Sequence, residues 1–181
     1  MDVPTRARSR AGLLLLLLGV PALLLSVAAS PAAAMDATRF QEQIHTQANA
    51  VRVAKGKAAL SMNSCLDGYA NAWAAKLAKE KRLVHRSTAS LKLIMGPDRC
   101  NLSRIGENLA AGQSAGTLVV GYVSHSPSES CVKNGTCALN WMRSQGHRDN
   151  LLGTSFRRTG VGAALGSDGR YYSVQLYGTP R

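Results

Sequence analysis

The chain has 181 residues, a mean hydropathy near zero (−0.07) and 22 Lys+Arg against 10 Asp+Glu, a formal charge of +12. Once a leader is set aside, that length is ordinary for one domain with its own core. The basic balance favours anionic neighbours such as wall polymers, acidic polysaccharide or lipid headgroups, or simply a solvated basic surface; a nucleic-acid binder is excluded, because the bases are scattered singly and aromatics make up only 5% of the chain.

Arg6, Arg8 and Arg10 precede an almost unbroken Leu/Ala/Val/Gly run over residues 11–27, interrupted by Pro21, and Ala32-Ala33-Ala34 supplies a small-x-small site. This is the pattern of a secretory signal peptide over residues 1–34, cleaved after Ala34. The alternative is an uncleaved anchor, since the run is close to the lower limit of about 17–25 residues for a spanning helix. No cysteine stands near the cleavage position to carry a lipid, and no later segment is apolar enough to span a bilayer. The expected product, residues 35–181, is a single secreted domain. Removing three arginines and Asp2 leaves 19 basic against 9 acidic residues, +10.

Phe40, Ile44, Ala48 and Val51 recur at helical spacing, which predicts a first helix over residues 38–55 stopped by Gly56. A second helix follows an Asn63/Ser64 cap, with Leu66, Tyr69, Ala70, Trp73, Leu77 and Ala78 on one stripe; Trp73 is a core residue by that pattern. Residues 85–102 read as loop-rich around Gly96-Pro97-Asp98. Residues 117–123 read as a short apolar helix, 124–137 as a polar excursion and 138–144 as a short helix carrying Trp141 and Met142. Strand-like segments at 161–165 and 171–177, separated by Gly166-Ser167-Asp168-Gly169, predict a terminal hairpin. Helices first and a hairpin last indicate an α+β domain with helices packed on an antiparallel sheet.

Four cysteines in an exported chain read as two disulfides, with three pairings open. Cys131 and Cys137 bracket a turn-rich run of five residues and suit a local loop, which leaves Cys65 with Cys100. The sequons at Asn101 and Asn134 matter only in a glycosylating host.

Three polar residues stand in settings that ask for a purpose. His85 follows the second helix, Glu107 lies in Gly106-Glu107-Asn108-Leu109-Ala110, and His147 lies in Ser144-Gln145-Gly146-His147-Arg148-Asp149-Asn150-Leu151. Taken singly, a histidine is more often a hydrogen-bonded structural residue than a ligand, and a carboxylate beside Asn is often a cap. Their order, together with Trp141-Met142-Arg143, Thr159-Gly160-Val161-Gly162 and Tyr171-Tyr172-Ser173-Val174-Gln175, resembles the bacterial branch of the CAP superfamily (cysteine-rich secretory proteins, antigen 5 and pathogenesis-related 1). The resemblance runs from about Phe40 to Tyr177.

That resemblance implies a three-layer α-β-α sandwich with a shallow cleft of two histidines and acidic residues, which in several members holds a divalent metal, typically zinc. Carried to this chain, the metal residues are His85, His147 and Glu107, with Asn108 and Ser144 beside the cleft. Many eukaryotic members place a Glu three residues after the helix Trp; here that place is Ser144. Glu129, in the excursion, is not assignable as its replacement. Two imidazoles need only a third donor or water to hold zinc, and Glu107 could ligate directly or orient a ring from behind. The family most often implies a binding module for a sterol, a fatty acid or an envelope or host component, with no required cofactor. The alternatives are a metal-assisted hydrolase and a purely structural secreted domain. A Ser144–His147 nucleophile lacks an orienting group and a named oxyanion donor.

Overall fold

The computed structural model describes residues 36–115, 119 and 140–181. The expected leader, most of the segment 117–123, the excursion 124–137 with Glu129, and the Cys131–Cys137 pair lie outside the described residues. No described helix is long and apolar enough to cross a membrane.

Helix α1 (Ala37–Ala54) starts where the Asp36 carboxylate accepts the Thr38 N–H at 3.2 Å and ends before Gly56, at φ +67°. Its buried stripe is Phe40, Ile44, Ala48 and then Arg52. The fourth position continues the helical spacing with a guanidinium, which burial alone would penalise. Arg52 donates instead to the carbonyls of Ala58 (2.7 Å), Leu151 (2.7 Å), Gly153 (3.1 Å) and Phe156 (3.5 Å), tying the end of α1 to a distant loop. Two residues, Ser61–Met62, form β1. Asn63 then caps α2 (Ser64–Glu80) by accepting the Leu66 N–H at 3.0 Å, as the sequence predicts. Leu66, Ala70, Ala74, Leu77 and Ala78 face inward, and Lys81 ends the helix in the left-handed region at φ 50°.

Residues 85–102 are not the loop the sequence suggested. Ser87 caps an eight-residue helix, α3 (Thr88–Met95), that buries only Ile94 fully. One buried residue in two turns leaves almost no periodic signal. The Gly96-Pro97 turn then delivers the chain to β2 (Leu102–Gly112).

The helix expected over 138–144 is also displaced. In the described part of that range, Asn140 accepts the Arg143 N–H in a turn, and α4 begins only at Gln145 (Gln145–Leu152). His147 therefore sits in the first turn of a helix. The hairpin is as predicted, β3 (Arg158–Leu165) and β4 (Tyr171–Pro180), with Gly169 at φ +75° in its turn.

The sheet order is β1-β3-β4-β2. Strands β2, β4 and β3 are antiparallel, in register from Gly112↔Tyr171 and Leu165↔Tyr171. The short β1 pairs parallel to β3 at Arg158 and Thr159, a departure from the purely antiparallel sheet expected. Two core clusters lie on opposite faces of this sheet. One joins Phe40, Ile44 and Ala48 of α1 with Leu151 of α4, Val161, Tyr171 and Tyr177; the other joins Leu66, Ala70 and Leu77 of α2 with Ile94 of α3, Leu109, Val174 and Leu176. Helices cover both faces, giving the three-layer α-β-α arrangement.

Small residues set the spacing of the α2 layer. A Cβ at Gly160 would come within 2.3 Å of the Leu66 backbone, and one at Gly162 within 2.2 Å of Ala70. The Thr-Gly-Val-Gly run is therefore a close-packing surface for α2. Cys65 in the first turn of α2 is joined to Cys100, two residues before β2. The bond holds α3 and the start of β2 on the same face.

Candidate functional site: a histidine cleft at the β2 edge

β2 is an edge strand, and consecutive side chains leave it on opposite faces. Glu107 goes toward the α2 side and Asn108 toward the α4 side. This single alternation builds the site, because His85 comes from the α2–α3 connection and His147 from α4. Their rings meet with centroids 6.2 Å apart and planes at 39°.

Glu107 is buried, its side chain only 2% exposed, whereas the His85 side chain is 57% exposed. Glu107 Oε1 accepts from His85 Nδ1 at 2.9 Å and from the Arg86 N–H at 3.0 Å, and Oε2 stands 3.4 Å from Arg86 Nε. A carboxylate only accepts, so the His85 proton is on Nδ1 and the lone pair is on Nε2. Arg86 is itself held from three sides. Its guanidinium donates to the Tyr69 carbonyl and lies 4.7 Å from the Trp73 ring centre, and Trp73 Nε1 in turn donates to the Val84 carbonyl at 3.0 Å. The hydrogen bond and charge of Glu107 raise the His85 pKa, against a smaller opposing effect of burial.

On the other side, Asn108 is fully buried and acts beneath the cleft. Its Nδ2 donates to the His147 carbonyl at 2.9 Å and to the Tyr177 hydroxyl at 3.0 Å, and its Oδ1 accepts from Asn150 Nδ2 at 3.0 Å. Asn150 also donates to the Glu107 carbonyl at 3.2 Å. Trp141 Nε1 donates to the Leu109 carbonyl at 3.0 Å. These bonds satisfy the outer edge of β2 with side chains and fix the first turn of α4 against it. A Cβ at Gly106 would stand 2.7 Å from Asn150 Oδ1, so the Gly-Glu-Asn order has a steric reason. Burial, and after it the neighbouring His85, lower the His147 pKa, which favours the neutral ring. His147 Nδ1 is buried without a hydrogen-bond partner among the described residues.

The structure thus brings His85, Glu107 and His147 together. Ser144 is the residue before α4, and its hydroxyl does not cap that helix. Arg86 and Asn150 are site residues that sequence reading missed. The first directly follows His85; the second lies three residues after His147, on the same face of a helix.

Two imidazoles sharing a zinc ion at 2.0–2.1 Å place their ring centres about 5–6 Å apart, close to the separation here. The donor chemistry fits: one ring is oriented through its Nδ1 by a carboxylate, and the other is neutral with an orphaned buried nitrogen. Glu107 is directed at His85 and Arg86. Among the described residues no group of three or more His, Cys, Asp or Glu is placed around one metal position. A cation here would therefore take two protein nitrogens and complete its shell with water or ligand.

Solved structures share this architecture. An outer surface protein of Borrelia burgdorferi aligns with a TM-score of 0.60 at 17% identity, over 81% of this chain and 97% of that one. An extracellular protein containing an SCP domain from Bacillus anthracis aligns at 0.54 and 21%, over 78% of this chain and 41% of its own. A cysteine-rich secretory protein of Staphylococcus aureus aligns at 0.50 and 17%, over 81% and 40%. At these identities the likeness is one of fold. No curated protein sequence matches the chain. The family model for cysteine-rich secretory proteins matches residues 45–177, a span that includes His85, Glu107, His147 and most of the closing hairpin. With the fold, the motif order and that match in agreement, the chain belongs to the CAP family of cysteine-rich secretory proteins.

Proposed function

We propose that this protein is an exported binding domain whose histidine cleft takes a divalent cation of the zinc class through His85 and His147. The observation that carries the reading is the Glu107–His85 hydrogen bond facing the His147 ring across 6.2 Å. A carboxylate behind an imidazole fixes its tautomer, turns its lone pair outward and raises its basicity as a ligand. In this reading Glu107 is an orienting group, and Arg86 keeps its carboxylate in place. A bound cation would supply a positive centre able to fix an anionic or carbonyl oxygen of a partner.

Export is supported by the leader pattern of residues 1–34 and by the Cys65–Cys100 disulfide, which suits an oxidising compartment. The +10 charge expected after cleavage favours an anionic envelope polymer as the surface the domain works on. A sterol or fatty acid would need an apolar groove away from the cleft, whose walls are His85, Glu107 and Arg86. Calorimetric titration of the purified protein with zinc at neutral pH tests the proposal. One equivalent should bind to the wild type, and His85→Ala/His147→Ala should abolish it. Equal uptake by that variant would make the histidines a structural remnant of the fold.

A further inference from the structure

At the open edge of β3 the two-residue β1 covers only Arg158 and Thr159, because the chain turns into α2 at Asn63. Side chains stand in for the missing strand. Asp67 Oδ1 accepts the Val161 N–H at 2.9 Å. The Gln41 carboxamide, turned about its last bond, donates to the Val161 carbonyl at 3.2 Å and accepts the Ala163 N–H at 3.3 Å. Outside this repaired edge, between the first halves of α1 and α2, lies a cavity of about 540 Å³. Such a volume is in the ordinary range for a small-molecule site, about 300–1,000 Å³.

The chemistry of its wall runs against that of the chain. Bases outnumber acids 22 to 10 in the sequence. Yet the wall carries the carboxylates of Glu42 and Asp67, the His45 ring and the amides of Gln41 and Asn71, with no lysine or arginine among the described lining residues. Burial raises the Asp67 pKa, so this carboxylate gains from a cation beside it. The His45 ring is anchored at Nε2, 3.0 Å from the Leu60 carbonyl. Among the described residues Glu42, His45 and Asp67 are not gathered around one point. Acceptors spread over a space of this size suit a larger cation that carries several N–H donors.

We propose that this cavity binds a small organic cation bearing primary ammonium groups, at a site separate from the histidine cleft. The two sites share no lining residue. The cation's ammonium groups pair with Glu42 and Asp67, and the amide oxygen of Asn71 takes a remaining donor. The ligand is either a free polyamine or the lysine side chain of a basic polymer; both present the same group. Attraction of this kind weakens as salt is raised, because Glu42 is exposed.

The test titrates the purified protein with 1,5-diaminopentane and with its neutral isostere 1,5-pentanediol, following the backbone amides of Gln41 and Asn71 by NMR. The diamine is expected to bind and shift those amides, and the diol to leave them unchanged over the same range. Glu42→Gln, on an exposed helical turn, should weaken the diamine several-fold. Glu42→Gln/Asp67→Asn should weaken it at least tenfold while the melting temperature is kept, since an Asn at 67 still accepts the Val161 N–H. His85→Ala/His147→Ala should bind the diamine as the wild type does. A trilysine arm separates the sources: binding equal to the diamine supports a polymer side chain, and binding of the diamine alone supports a free polyamine. Equal binding of diamine and diol, or unchanged diamine binding by the double carboxylate variant, would overturn the proposal.

Discussion

His85 and His147 stand next to each other with opposite tendencies: a carboxylate raises the pKa of one, while burial and a neighbouring imidazole lower that of the other. Zinc needs both lone pairs, so affinity should fall as pH drops through the imidazole range near 6.5, with His85 the first ring to take a proton. Calorimetry at pH 7.5, 6.5 and 5.5 would show it, and a pH-independent affinity would disprove imidazole ligation. Glu107→Gln keeps the size but weakens the hold on His85, and should cost about 10–100-fold in affinity; a larger loss would make Glu107 a direct ligand. Ser144→Ala should change little, because its hydroxyl has no capping role. Linkage in the metal-free protein follows the same signs. His85 contributes stability that is full below its unfolded pKa and is lost as pH rises through the raised folded value. His147 contributes stability that is present above its unfolded pKa and is lost as pH falls through the lowered folded value. Thermal melts from pH 5 to 8 should therefore lose their acid-side decline in His147→Ala and their alkaline-side decline in His85→Ala. Asn108 is a different kind of residue, buried with its amide fully engaged. Asn108→Ala should destabilise the fold by about 1–3 kcal/mol or more, because the His147 carbonyl and the Asn150 amide lose their partner. Denaturant unfolding measures that.

Among the elements, α2 is held most tightly to the sheet. Gly162→Val would drive a side chain into the Ala70 backbone, where the space for a Cβ is already missing. The helix would have to move off β3, and the variant should fail to give a cooperative melt, in contrast to a substitution at Gly68, where nothing stands within 4 Å of a Cβ. The Cys65–Cys100 bond closes a separation of 35 residues. Its loss through Cys65→Ser/Cys100→Ser should lower stability by about 2–5 kcal/mol, visible as a lower midpoint in urea at unchanged pH. Helix assignments from sequence held where a whole stripe repeats, as for α1 and α2. They failed for α3 and α4, which bury one residue each at full depth, Ile94 and Leu151. Two turns anchored by one residue are decided by the surface they land on, helped in α3 alone by the Ser87 cap, and a periodicity search registers neither.

At the scale of the whole molecule, the expected leader and the expected loop disulfide are each open to direct measurement. Mass analysis of the exported product should give a chain starting near Met35, and a membrane-bound species that retains Met1 would contradict it. Non-reducing peptide mapping should find Cys131 with Cys137 beside the Cys65–Cys100 bond, and a Cys65–Cys131 link would contradict that. Much of this protein was legible in one dimension. The basic charge, the stripes of α1 and α2 with the Asn63 cap of the second, the closing hairpin and the order His85, Glu107, His147 are local patterns, and local patterns survive in a string of letters. The tertiary structure alone decided the rest. That Glu107 turns to His85 while Asn108 turns under His147 depends on which way β2 faces. That Arg86 and Asn150 belong to the site, and that Gln41 and Asp67 finish the β3 edge, depends on contacts across 21 to 122 residues. A strand's facing and its neighbours are properties of the packed sheet, set by burial on both sides at once, so no single segment of sequence carries them.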